Sequence, residues 1–309
     1  MIFIIIIDKG DFAMSSAFTR GVLVENDSKQ AGSTLAFTIA KGGQLKSTSA
    51  INIAGAIIKD CSIEKAKICI LDIDAQANVF TSFGLDADML DEHEDLSGAM
   101  LGFTNSEGEN ITGLSAIENA VFELYRENDN KYIHCITANE RCDLLEMTIL
   151  TNLDIYTNPT TLLRDMCKEL SKYYTHIIID TPPAYSLMVS NVFMIDGVEV
   201  YVPFEPETYA LRSVAKTIAT FDSFSVKNPS AVFGGVFATK VKTNTNIHAS
   251  IIGTARTYTQ SSKKRYLKTF IPNSVKAANA VYYEALPPIL SSKKSDQVKE
   301  YFDLWEEIK

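Results

Sequence analysis

The stretch Lys41-Gly42-Gly43-Gln44-Leu45-Lys46-Ser47-Thr48 constrains this chain more than any other. It follows an apolar run, Leu35-Ala36-Phe37-Thr38-Ile39-Ala40, and precedes Ser49 to Ile58, whose apolar residues recur at helical spacing. The local plan is therefore strand, glycine loop, helix. Such a plan cradles phosphate. The glycines let the backbone turn tightly and aim its N–H groups inward, and the following helix adds the positive end of its dipole. Lys46 and Ser47 stand where phosphate oxygens and Mg²⁺ would sit. Leu45 occupies the place before the lysine where a loop of this kind normally has glycine.

Later apolar runs end in carboxylates. Lys67 to Ile73 reads as a buried parallel strand carrying Asp72 and Asp74 at its end. Ligands of open α/β sheets gather at the carboxyl ends of the strands, so both aspartates fall beside the loop if the two strands are near neighbours. The other reading is that they cap the next helix. His176-Ile177-Ile178-Ile179-Asp180 is a second such strand, followed at once by Thr181-Pro182-Pro183. An aspartate in that place reaches Mg²⁺ directly or through water. Further strands are expected over residues 132–137, 198–203, 232–238 and 267–272. Helices are expected at Ala116 to Tyr125, from Pro159 to Tyr174, near 208–221 and 245–261, and from Gln297 to Ile308, which includes Trp305. Strand and helix in alternation mean an α/β fold, a doubly wound, mainly parallel sheet with helices on both faces.

At 309 residues with 46% hydrophobic content, the chain is long enough to bury a large core. No repeat or low-complexity run divides it, which points to a single domain over 34–309 after an N-terminal arm over 1–33. The apolar Met1 to Ile7 ends at Asp8, far short of the roughly 20 residues that cross a bilayer, and lacks the basic start and cleavage site of a signal peptide. It reads as an extra strand or an irregular arm. The cysteines Cys61, Cys69, Cys135, Cys142 and Cys167 are odd in number and form no C-x-x-C pair. That argues against a disulfide framework, a zinc site or an iron–sulfur cluster, and for buried thiols in a reducing cytoplasm. The formal charge of −9 is unevenly spread: residues 240–309 carry 12 Lys/Arg and 6 Asp/Glu, and residues 1–239 carry 17 and 32. An acidic whole can still present a basic face. The acidic excess centres on an insertion near 86–130, where Arg126 alone opposes twelve carboxylates and the plain reading is a solvated surface excursion.

Taken in order, the loop at 41–48, Leu71-Asp72-Ile73-Asp74-Ala75-Gln76-Ala77-Asn78, and Ile177 to Pro183 resemble the ParA family of deviant Walker-type partition ATPases. That family's pattern is a KGGxGK[ST] loop, a strand ending D-x-D-P-Q-G-N and a later strand ending D-T-P-P. The likeness continues at Phe270 to Lys276 and at Ala285 to Leu290, and so covers roughly residues 34–308. The resemblance implies a P-loop NTPase of the deviant Walker A type that uses ATP and Mg²⁺. It implies that Lys41 reaches across a dimer interface to the partner's phosphates, much as an arginine finger does. Gly42, Gly43, Gln44, Leu45, Lys46, Ser47, Thr48 and Pro272 would hold the nucleotide, with Lys46 on the β- and γ-phosphates. Ser47, Asp72 and Asp180 would serve the metal and its water shell, and Asp74 would position the attacking water. Two departures stand out. Ala75 and Ala77 replace the family's Pro and Gly, at little expected cost because neither side chain does chemistry. If position 45 needs φ > 0, leucine stores of order 1–3 kcal/mol of strain or forces a different loop path, with slower turnover expected.

The family's engine serves several ends. The acidic tail Asp303 to Lys309 disfavours a membrane-binding end of the MinD type. No cysteine lies just past Pro183, where nitrogenase-reductase relatives need one, and the terminal tyrosine cluster of the tyrosine-kinase relatives is missing. DNA segregation fits best: an ATP-dependent homodimer that binds DNA non-specifically, is stimulated by a centromere-binding, ParB-like adaptor, and works in the cytoplasm on the nucleoid without a membrane partner. The expected DNA surface is Lys263, Lys264, Arg265, Lys268 and Lys276, with Lys240, Lys242 and Arg256 nearby in sequence. The alternative is a nucleotide-dependent scaffold that positions a protein cargo without DNA.

Overall fold

A computed structural model describes residues 18–26, 32–274, 286–291 and 298–309. The apolar run Met1 to Ile7, Lys276 and Ala285 lie outside these residues.

The sheet is built from β1 (Ser33–Phe37), β2 (Ala66–Asp72), β5 (Phe122–Asn128), β6 (Lys131–Thr137), β7 (His176–Asp180), β8 (Glu199–Phe204) and β9 (Val232–Ala238). A separate hairpin pairs β3 (Phe103–Thr104) with β4 (Asn110–Ile111). The strand order is β5-β6-β2-β7-β1-β8-β9, parallel throughout except for β5, which runs antiparallel to β6. β7 therefore stands between β1 and β2, which are not neighbours. Its register puts Asp180 level with Phe37 on one side and with Asp72 on the other.

Continuous β-branched and leucine runs can be buried on both faces of a parallel sheet, and two apolar clusters do that here. On one face lie α1 (Lys46–Lys59), through Ile51, Ala54 and Ile58, and the closing helix Val298–Ile308, through Tyr301, Leu304 and Trp305. On the other lie α6 (Leu162–Leu170), α7 (Leu187–Phe193) and α8 (Ala210–Ser225), through Leu163, Val192 and Ile218. The Trp305 indole N–H donates to Asp60 Oδ2 at 2.9 Å, which fixes the closing helix against the end of α1.

Several sequence expectations move. Ala116 to Tyr125 is not one helix: α4 (Leu114–Ala120) stops and the chain becomes β5, because the hairpin with β6 satisfies its backbone. The helix expected from Pro159 begins at Leu162, since the Pro159 carbonyl accepts from Asn191 Nδ2 at 2.8 Å and stays in the preceding turn. Residues 267–272 form no strand. Their backbone bonds to β9 where Leu267 N–H donates to Val236 at 2.8 Å and Ile271 N–H to Ala238 at 2.9 Å. The described part of the arm lies along the exposed edge of β5, with Gly21 N–H donating to Val121 and Glu123 N–H to Thr19. That covers backbone groups which an edge strand would otherwise present to another chain. Cys69, Cys135, Cys142 and Cys167 are buried free thiols, and Cys61 is exposed.

Candidate nucleotide site

The loop leaves β1 at Phe37 and enters α1 at Lys46. Two residues in it take left-handed backbone: Gly43 at φ 74° and Leu45 at φ 60°, ψ 33°. Position 45 does need φ > 0, so the leucine keeps the glycine path and accepts its strain, about 1–2 kcal/mol for an L-residue. Gln44 is buried and acts as the loop's clamp. Its Oε1 accepts from Glu205 N–H at 2.6 Å, its Nε2 donates to the Gly42 carbonyl at 3.2 Å, and its own carbonyl accepts from Thr239 Oγ1 at 3.3 Å. The loop is thereby tied to the carboxyl ends of β8 and β9. Thr48 sits one turn into α1, with its carbonyl accepting from Asn52 Nδ2 at 2.7 Å.

The carboxylates meet at the ends of β2 and β7. Asp180 is fully buried, and neither carboxylate oxygen has a hydrogen-bond partner among the described residues. Burial pushes its pKa up to about 7, with Ser47 and Lys46 pulling it back and Asp74 adding to the rise. Lys46, itself buried, has its pKa lowered by desolvation, against the opposing pull of Asp180 and Asp74. Its ammonium donates to the Lys41 carbonyl at 3.4 Å. Asp72 is also fully buried, but its oxygens accept from Val79 N–H at 2.9 Å and Asp74 N–H at 3.3 Å. It caps the start of α2 (Asn78–Ser82) and orients the turn that carries Asp74. Burial, then the charge of Asp180, raise its pKa well above the usual carboxylate range. Asp74 Oδ1 accepts from Gln76 N–H at 3.1 Å.

Ala77 corrects one expectation. It lies at φ 48°, ψ 41°, left-handed like Leu45, immediately before α2. The cost of replacing glycine there is in the backbone, about 1–2 kcal/mol, whatever the side chain does. The same physics makes the two departures from the family pattern one departure.

The residues present fit a divalent cation. The buried carboxylates of Asp180 and Asp74 face the buried Lys46, and the unpartnered oxygens of Asp180 stand beside Ser47. Among the described residues no three His, Cys, Asp or Glu side chains are grouped to hold a metal by themselves.

A family model described as an AAA domain matches residues 32–231. A ParA family protein of Mycoplasma genitalium is 29% identical over 275 residues, covering 89% of this chain and 96% of that one. The chromosome partitioning protein ParA of Myxococcus xanthus is 26% identical over 299 residues, covering 94% of each. The chain belongs to the ParA family of Walker-type partition ATPases. In fold it is similar to the cobyrinic acid a,c-diamide synthase of Mycobacterium smegmatis solved with an ATP analogue and magnesium, at 20% identity and a TM-score of 0.65, covering 89% of this chain and 93% of that one. As a ParA-family ATPase it is a nucleotide-binding protein.

Within that family site, Lys41 is ion-paired with Glu207 of the same chain, in the connection between β8 and α8. Pro272 bridges to Val241, just past β9. The basic cluster expected to meet DNA divides. Lys263 and Lys268 are exposed. Lys264 lies 2.6 Å from Asp222 Oδ1 with its ammonium over the Phe221 and Phe233 rings, and Arg265 donates to the Glu307 carbonyl of the closing helix. Lys264 is thus partly spent on packing. Lys240 is not part of this surface; its ammonium faces the loop. Sequence reasoning missed Glu205, Glu207 and Thr239, which carry no motif and reach the loop because β8 pairs with β1 and β9 with β8. Among the described residues no helix is long and apolar enough to cross a membrane.

Proposed function

We propose that this ParA-family ATPase segregates DNA: ATP closes a homodimer, the dimer binds DNA without sequence preference, and a centromere-binding, ParB-like adaptor stimulates hydrolysis to release it. The observation that carries this reading is the convergence of the glycine loop, Asp74 and the unpartnered Asp180 carboxylate at the ends of three strands.

The roles follow from where the side chains stand. Loop N–H groups and Lys46 bind the β- and γ-phosphates, with Gln44 holding the loop's path and Thr48 at the helix start. Ser47 and Asp180, with Asp72 behind them, would hold Mg²⁺, which would supply positive charge against the phosphates. Asp74, on the turn after β2 and braced by Asp72, orients the attacking water. Lys41 exchanges Glu207 for the phosphates of the neighbouring subunit, and that exchange couples ATP to association. Pro272 lines the nucleotide. The protein works in the cytoplasm, on the nucleoid. Lys263 and Lys268, with Lys276, supply the phosphate contacts to DNA, and Lys264 and Arg265 contribute less than their sequence neighbours.

The Asp74→Ala protein tests the engine. It should accumulate as a dimer with ATP and Mg²⁺ in analytical ultracentrifugation; a protein that stays monomeric refutes the sandwich. The engagement of Lys264 and Arg265 within the chain favours keeping the second reading, a nucleotide-dependent scaffold for a protein cargo. Titrating random duplex at several salt concentrations separates the two: DNA segregation requires ATP-dependent binding that weakens steeply with salt, and the scaffold requires none.

A further inference from the structure

Two lysines at the mouth of the loop are held by one short acidic segment. Glu205 and Glu207 flank Pro206 just after β8; Glu207 pairs with Lys41, and Glu205 Oε2 lies 3.2 Å from Lys240 Nζ. Lys41 has a role from the family pattern. Lys240 has none.

Lys240 lies two residues past the end of β9, in left-handed backbone at φ 50°. A lysine gains nothing from that conformation, which costs a non-glycine residue free energy, and here it turns the side chain back over the loop. Its ammonium lies 3.7 Å from the point where a Cβ on Gly43 would sit, and Gly43 is one of the two left-handed residues of the loop. The side chain is about a third exposed, with Glu205 at 20%, so the pair stands at the rim rather than in bulk solvent. Both partners are fixed from behind. Glu205 N–H is held by Gln44 Oε1 at 2.6 Å, and Thr239, the residue before Lys240, donates its hydroxyl to the Gln44 carbonyl at 3.3 Å. Loop, β8 end and β9 end form one hydrogen-bonded frame with an ammonium aimed at the loop.

A loop that turns its N–H groups inward at a helix N-terminus attracts a polyanion. An ammonium aimed at that loop and paired with a carboxylate is a cation whose present partner stands in for phosphate oxygen. We propose that Lys240 is a nucleotide-binding residue acting in cis: it contacts the polyphosphate of the bound nucleotide, exchanging the Glu205 carboxylate for phosphate oxygen. This rests on the nucleotide-binding reading of the loop. It gives the site a cation from β9 beside those from the loop, and it takes Lys240 off the DNA surface.

Equilibrium titration of the full chain with a fluorescent ATP analogue, and competition by ADP and by adenosine, tests the assignment in wild type, Lys240→Met, Lys240→Arg and Glu205→Gln. Losing one charge-assisted contact should weaken ATP and ADP by about tenfold or more in Lys240→Met while leaving competition by adenosine unchanged. Lys240→Arg should recover most of the loss. Glu205→Gln, which removes the competing carboxylate and keeps the backbone contact to Gln44, should bind ATP as tightly as wild type or more tightly. A structural salt bridge behaves differently, because breaking it from either side disturbs the loop alike. Equal weakening by Lys240→Met and Glu205→Gln, or Lys240→Met within about twofold of wild type, overturns the proposal. A wild-type protein that binds no ATP refutes the nucleotide reading itself, and Lys240 falls with it.

Discussion

Leu45→Gly isolates what the loop's strain is for. The leucine holds φ 60°, ψ 33° and its carbonyl already accepts the first helical bond of α1, from Ser49 N–H at 2.8 Å. Glycine would release about 1–2 kcal/mol of left-handed strain. Against that stand roughly 0.5–1 kcal/mol for the greater freedom of glycine in the unfolded chain and about 1 kcal/mol for a leucine that is only part-buried against the α1 face. The terms nearly cancel, so the urea midpoint should barely move. Leu45→Ala is the informative partner: it loses the same packing and keeps the strain, and should be about 1 kcal/mol less stable than Leu45→Gly. For binding, the decisive point is that the left-handed residue opens α1, whose apolar face is buried in the core, so folding itself fixes its path. Its cost is met on folding, not on binding, and ATP affinity measured by calorimetry should agree between wild type and Leu45→Gly to within about threefold, roughly 0.6 kcal/mol. A tenfold tighter Leu45→Gly would refute this, since the wild-type loop would then have to leave its relaxed path each time it binds.

Other outcomes follow from the same geometry. Ala77→Gly at φ 48° should cost nothing measurable in urea unfolding, whereas a buried Ala→Gly at ordinary φ costs about 1 kcal/mol. Asp72→Ala strands the Val79 and Asp74 N–H groups and should destabilise the nucleotide-free protein by about 1–3 kcal/mol. Asp180 has a folded pKa raised from 3.8 to about 7, so the folded state holds the extra proton between those values, and stability falls as pH rises through that window. Asp180→Asn removes that slope. In EDTA without nucleotide, its stability relative to wild type should rise between pH 4 and 7 by roughly 4 kcal/mol and stay level above; parallel pH profiles for the two proteins would contradict the assignment.

Much of the fold was legible because its signals are local. Runs such as Ile177-Ile178-Ile179 are apolar on both pleat faces, and only a sheet covered on both sides buries them. The helices α8 and α9 (Asn246–Ser261) and the closing helix begin within two residues of where periodicity put them. The errors fell where tertiary pairing overrode a local pattern. Residues 122–125 read as helix and became an edge strand, and residues 267–272 read as a strand and became a connection bonded at its two ends. At the site, Lys41, Lys46, Ser47, Asp74 and Asp180 stood out by motif. The acids that hold the lysines did not, because Glu207 lies 166 residues from Lys41 and belongs to no pattern.

The sequence by itself determined that this chain has a phosphate loop between a buried strand and a helix, since glycine freedom, dipole and cation are properties of eight adjacent residues. It also determined that carboxylates close two later strands, because a polar residue ending an apolar run marks where that strand leaves the core. The tertiary structure alone decided that β7 inserts between β1 and β2. That insertion brings Asp180 to the loop and leaves Asp72 to brace the turn of Asp74. It alone decided, too, that Leu45 and Ala77 are left-handed and that Lys240 turns toward the loop rather than toward DNA. Strand neighbours and backbone hand are set by pairing between distant segments, where each contact gains only if many others form with it, and no local stretch carries that information.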